Sequence, residues 1–184
     1  MHLLNFIYSN SEDIYERSIL PKKLLSLQEN NLTMTIHNYI EKLGLLPHPE
    51  GGYYRQLYGN DATGKKDIST IYYMLTANDI SAFHRLHGVV EIWYYHDGEP
   101  LNIYVIDQDG KLSVHNLSTE NEMQVVIMPE QWFAAEIPSK QGFCLVGCAV
   151  GPAFSFENFE LAKKADLLQL YPQHKELIER LSKE

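Results

Sequence analysis

From Ser69 onward, apolar and polar residues alternate in short runs separated by turn-forming residues, the period-two signature of β-strands. The runs predict strands at Ser69–Thr76, Ser81–Arg85, Val90–His96, Leu101–Asp107, Leu112–Leu117, Glu122–Met128, Trp132–Ile137 and Phe143–Val150. Tyr53–Tyr58 can also be extended. No helical period separates these runs, so a parallel α/β fold, which needs crossover helices, is excluded. An antiparallel sandwich or barrel is expected instead. The period changes at both ends of this region. Ile36, Tyr39, Ile40 and Leu43 are spaced as one helical face before Gly44, predicting a helix over Thr35–Leu43. Phe159–Leu170 predicts another, and Pro172 opens a third with His174, Leu177, Ile178 and Leu181 on its apolar stripe.

Residues 1–33 do not continue either pattern. They are expected to form a partly helical N-terminal extension, with Ser11 as a helix cap, ahead of a single domain over residues 34–184. The N-terminus has no basic leader, which together with the cysteine usage points to a cytoplasmic protein. With 184 residues there is enough chain for a substantial core. The formal net charge of −9 argues against nucleic acid and anionic membranes as partners, since both need a basic footprint. Cys144 and Cys148 lie four apart on one predicted strand, too far apart for a disulfide.

Chemistry-bearing residues concentrate in Ser81–Pro100, SAFHRLHGVVEIWYYHDGEP, which holds His84, His87, His96 and Glu91. On an extended strand Glu91, Trp93 and Tyr95 share one face. A second dense word, His48-Pro49-Glu50-Gly51-Gly52-Tyr53-Tyr54-Arg55, reads mainly as a conformationally specified loop that places Tyr53 and Arg55 at the mouth of a barrel.

These words together resemble the cupin superfamily. Its first signature, G-x5-H-x-H-x3,4-E-x6-G, is approached by His84, His87, Glu91 and Gly98. The chain is more closely similar to the Cupin-5 branch in HPEGGYYR (48–55), STIYYML (69–75), SAFHR (81–85), EIWYYHDGEPL (91–101), QVVIMPEQWFAAE (124–136) and LVGCAVGPAFSFENFEL (145–161). The resemblance runs from Met34 to about Pro172 and implies an all-β core. The implied fold is an antiparallel double-stranded β-helix, the cupin jelly-roll barrel, with flanking N- and C-terminal helices, an internal pocket and a homodimer. The second signature, G-x5-P-x-G-x2-H, departs from the pattern, with Gln131 at its glycine and Ala134 at its histidine.

Several readings of the site stay open at this point. His84, His87 and Glu91 could ligate a divalent transition metal, with water completing the shell. Alternatively, His84 is a metal-free general base with Glu91 assisting it, or an imidazole held only for structure. Buried Glu91 would need a partner, for which Arg55 and His84 are the candidates. Arg55 suits an anionic group. Tyr53, Tyr72, Trp93, Tyr95 and Trp132 offer ring surfaces for a ligand, and Gln124 a polar wall. The leading expectation is a small-molecule-binding cupin, of isomerase or epimerase type, acting on a carbohydrate-like or acidic metabolite. A metal-dependent oxygenase and a non-catalytic ligand sensor are the alternatives.

Overall fold

The alternation that predicts strands also dictates two layers, because each strand must bury one face. The computed structural model describes residues 35–59 and 67–183; residues 1–33, where the helical extension is expected, lie outside the described residues. Residues 35–43 form helix α1. Eleven strands follow among the described residues: β1 (Leu46–Pro47), β2 (Tyr53–Tyr58), β3 (Ser69–Thr76), β4 (Ile80–Leu86), β5 (Val90–Gly98), β6 (Leu101–Ile106), β7 (Leu112–Leu117), β8 (Gln124–Ile127), β9 (Trp132–Glu136), β10 (Phe143–Gly151) and β11 (Phe159–Leu161). Helices α2 (Lys164–Leu170) and α3 (Lys175–Leu181) follow. No helix among the described residues is long and apolar enough to cross a membrane.

The strands pair in two antiparallel sheets, ordered β1-β2-β3-β10-β5-β8 and β11-β4-β9-β6-β7. Chain neighbours repeatedly lie in opposite sheets or beside distant strands, as in a jelly roll. Between the sheets, Leu75, Trp93, Ile103, Phe133 and Val146 belong to one buried cluster. A second cluster lies on the outer face of the five-stranded sheet, where Phe83, Ile106 and Ala134 meet Leu167, Ile178 and Leu181 of the C-terminal helices. Strand β9 therefore feeds both clusters, with Phe133 and Ala135 in the first and Trp132 and Ala134 in the second. All five of its residues are buried, because helices cover the face that water would otherwise reach.

One expected element differs. Phe159–Leu161, read from sequence as the start of a helix, is instead strand β11, paired with Leu86, Arg85 and His84 of β4. The edge of β4 has unpaired backbone groups, and satisfying them outweighs local helix propensity. The helix begins only at Lys164.

Ile178 on α3 is fully buried against the sheet. Ile178→Ala is expected to cost about 2–5 kcal/mol of unfolding free energy, the usual range for emptying a core position. Urea denaturation checks it, and a loss below about 1 kcal/mol would mean the helix contributes little to the fold.

Candidate functional site

The turn between β1 and β2 builds one wall of the site. His48 N–H donates to Gly52 O at 2.9 Å and Gly51 N–H to His48 O at 3.1 Å, drawing the HPEGG word into a tight reversal. Gly51 and Gly52 both have positive φ, 127° and 68°. A Cβ on Gly51 would lie 2.1 Å from Ile80 O, and one on Gly52 would lie 2.4 Å from Met74 O. Only glycine permits this close approach to β3 and β4. The effect is to press Glu50 inward, where it is buried.

Ser81 Oγ donates to Glu50 Oε2 at 3.1 Å, and His84 Nε2 lies 3.5 Å from the same oxygen. Residues three apart on a regular strand face opposite ways. The β4–β9 register is irregular between Ser81 and His84, and that irregularity lets both reach one carboxyl. His84 Nδ1 donates to Ala82 O at 2.8 Å, since a carbonyl can only accept. The tautomer is thereby set, leaving Nε2 with its lone pair toward Glu50. The His84 ring packs on Phe133 with centroids 4.0 Å apart.

Glu50 and His84 open on a cavity of about 370 Å³. Glu50, His84, Glu91, Trp93 and Cys148 line it, with Tyr54, Tyr73, Phe154 and Phe156 among its aromatic walls. His48 stands edge-on to Tyr54 at 4.6 Å and accepts the Glu50 N–H at Nδ1. Phe156 is largely exposed and packs against Phe154 with centroids 5.3 Å apart, so an aromatic pair borders the cavity at the surface.

Burial dominates the electrostatics. Loss of solvation pushes Glu50 up to about 7, opposed by the nearby His48 and by the Ser81 hydrogen bond. The same cause, reinforced by the charge of Glu50, pushes Glu91 up to about 8. Burial lowers His84 to about 4, so its imidazole is neutral at pH 7. Cys148 is pushed well up by burial and by Glu91, and stays a thiol. Trp93 Nε1–H is buried without a hydrogen-bond partner, although it is near enough to Glu91 to favour the ionised carboxylate.

His84, Glu91 and Trp93 thus share one cavity. Other expected positions lie elsewhere. On β2 the cavity takes Tyr54 and Gln56, so Tyr53 and Arg55 face away by strand alternation. Arg55 Nη1 donates to Leu43 O at 2.7 Å and is not the partner of Glu91. On β3 the lining residues are Ser69, Ile71 and Tyr73, which puts Tyr72 on the opposite face, against His96 at 5.9 Å. Tyr95 is turned to Gly98, its hydroxyl donating to that carbonyl oxygen. Gln124 is exposed on β8. Trp132 lies under the Arg85 guanidinium, 4.5 Å from it, within the helix-facing cluster.

The implied metal set is not assembled. His87 lies beyond the end of β4, between Glu130 Oε2 at 2.7 Å and Glu160 Oε2 at 3.0 Å, and does not reach the cavity. Ala134 belongs to the helix-facing cluster, while Phe133 and Ala135 of the same strand pack between the sheets without offering a ligand atom. Among the described residues no group of three or more His, Cys, Asp or Glu side chains could hold a metal ion. The donor set does not fit a cupin transition metal. In its place stand residues that the sequence reading did not assign to the site: Glu50 and Ser81 above all, then His48, Tyr54, Tyr73 and Cys148. Paired glycines after Glu50 were the available signal.

A two-sheet antiparallel barrel with a lined interior cavity is the architecture of a cupin, and comparison with known proteins agrees. The family model described as "Cupin superfamily (DUF985)", that of the Cupin-5 branch, matches residues 37–162, and the chain belongs to this family. A crystal structure of a protein from Shewanella oneidensis is 36% identical with a TM-score of 0.74, covering 79% of this chain and 96% of that one. A protein of Leishmania major is 30% identical with a TM-score of 0.73, covering 80% and 98% respectively. Oxalate decarboxylase of Bacillus subtilis, 14% identical with a TM-score of 0.52 and covering 73% of this chain and 36% of its own, shares the fold alone. No curated protein matches the chain.

The displaced carboxyls give stability a definite pH dependence. Glu50 and Glu91 have native pKa values above their ordinary 4.5, so their contribution is complete below that value and is lost as pH rises through about 7 and about 8. His84 acts in the opposite direction: lowered from 6.5 to about 4, it destabilises the fold as pH falls through that interval. Wild-type stability is therefore expected to decline from about pH 5, where His84 offsets only part of the loss from the two carboxyls. The decline is steepest above about pH 6.5 and levels off above about pH 8. Glu91→Gln should flatten that decline, as read from urea midpoints; an unchanged slope would place Glu91 in contact with solvent.

Proposed function

We propose that the chain is a small-molecule-binding cupin that transfers a proton within a bound, carbohydrate-like ligand, as isomerases and epimerases do. One observation carries the reading: Glu50 Oε2 lies on the cavity wall within 3.1 Å of Ser81 Oγ and 3.5 Å of His84 Nε2. A carboxyl with a pKa of about 7 exchanges protons readily in either direction at neutral pH. Glu50 is the proton carrier in this reading. His84, neutral and fixed in tautomer, receives a hydrogen bond from the ligand at Nε2. Glu91, largely protonated near neutrality, supplies a hydrogen-bond donor on β5. Trp93 and Tyr73 stand edge to face, 5.5 Å between centroids, and give the ligand a wall.

The reading moves the proton-transfer role from His84 to Glu50, because burial leaves the imidazole a weaker base than the carboxylate. It also drops the acidic metabolite, whose support was Arg55. A homodimer belongs to the same proposal. Tyr94, Val126 and Met128 are exposed apolar residues on β5, on β8 and just after β8 at the edge of the six-stranded sheet, which a second copy would cover.

Native mass spectrometry of the purified chain tests for a retained metabolite, and turnover of that compound is then assayed. Glu50→Gln is expected to lower turnover by about 10²–10⁴-fold while the thermal midpoint is kept or raised. Undiminished turnover removes Glu50 from the chemistry. A compound that stabilises the chain and is never transformed leaves only a binding module.

A further inference from the structure

The electrostatic composition of the cavity is lopsided. It is lined by two buried carboxyls, Glu50 and Glu91, and none of its described lining residues is Lys or Arg. Among the described residues, the ammonium acting on Glu50 is that of Lys183, which is hydrogen-bonded to Pro49 O and does not line the cavity. Arg55 donates to Leu43 O, Arg85 pairs with Glu160, and Arg180 pairs with Glu136, so among the described residues no guanidinium serves the interior carboxyls. The groups that act on Glu91 are Cys148, Trp93 and Glu50, none of them a cation. Among the described residues, two buried acids with no cation beside them in the cavity are a standing cost to the fold unless something bound supplies positive charge.

The walls point the same way. Tyr54, Tyr73, Trp93 and the Phe154–Phe156 pair surround the carboxyls with ring surface, which attracts cations through the negative ring face. Trp93 Nε1–H, in a residue only 2% exposed, makes no hydrogen bond of full geometry beyond its approach to Glu91, although its residue lines the cavity. A ligand placed to satisfy that donor brings an oxygen. The chain's net charge of −9 draws cations and repels anions at long range.

We infer that the ligand of this cavity is a hydroxylated organic amine, its ammonium seated between Glu50 and Glu91 and a hydroxyl oxygen facing Trp93 Nε1–H. The inference rests on the cavity being a small-molecule site and narrows its substrate class from carbohydrate-like to amino-polyol or amino-sugar chemistry. Binding leaves Glu91 ionised against the ammonium and leaves Glu50 beside His84 to exchange the proton.

Three probes of matched size separate the charge states: glucamine, glucitol and gluconate, titrated calorimetrically into the full chain at neutral pH. Glucamine is expected to bind at least about tenfold more tightly than glucitol, about 1.4 kcal/mol, and gluconate weakest of all. Glu91→Gln should abolish the preference for glucamine over glucitol. Glu50→Gln is the second variant should Glu91→Gln not fold. Equal affinity for glucamine and glucitol, tighter binding of gluconate, or no binding by any of the three overturns the inference. A neutral or acidic metabolite retained in the native mass spectrum also overturns it, yet leaves the proposed function standing.

Discussion

The site depends on one enforced contact, the approach of the Glu50 carboxyl to Ser81 and His84 inside the barrel. A carboxyl does not enter a protein interior unaided, since it gives up water for a few hydrogen bonds. Here the backbone does the forcing. Two consecutive glycines at positive φ let the β1–β2 turn lie directly on the carbonyls of Met74 and Ile80, and Glu50 is carried in with it. The resulting free-energy cost is visible in the displacement of its pKa to about 7. The rest of the barrel tolerates that cost because its cores are apolar and buried.

Glu91 and His84 acquire their character from the same enclosure. Both are buried, and in each the charged form is disfavoured, so the cavity tends to electrical neutrality through protonation of its acids and deprotonation of its base. Such an interior is responsive. A ligand that introduces charge or a strong donor shifts these equilibria, which is the behaviour expected of groups that move protons. Histidines that remain at the surface behave differently. His87 sits between Glu130 and Glu160, binding the β8–β9 turn and β11 to the end of β4. Exposed polar contacts of this kind contribute modestly to stability.

The departure from the metal-binding cupin pattern has a geometric origin. His87 follows the last residue of β4, where the chain is already turning, so spacing in the sequence does not translate into a shared interior face. Residues of β9 facing the inter-sheet core are Phe133 and Ala135, and Phe133 occupies the space against the His84 ring. Aromatic packing thus stands where a coordinating side chain would be needed. The fold is kept while the interior chemistry passes to carboxyls.

Period-two alternation was legible from Ser69 to Val150, and nearly every strand there starts and ends within a residue or two of the expected place, since burial of one face imposes that rhythm. His84, Glu91 and Trp93 were legible as a cluster because two of them share a strand face and the third lies in a dense polar word. Tyr53 and Tyr72 were read one position away from Tyr54 and Tyr73, a slip that exchanges inside for outside in a strand with tyrosines on both faces. Glu50 was legible only as a neighbour of glycines. Its entry into the cavity follows from the turn meeting β3 and β4, which are distant in the chain, and the meeting of Ser81 with His84 follows from a register irregularity against β9. Local sequence determined which segments are strands and which face of each is apolar. Only tertiary structure decided which polar groups share an interior, because that depends on contacts between segments whose spacing along the chain carries no record of their distance in space.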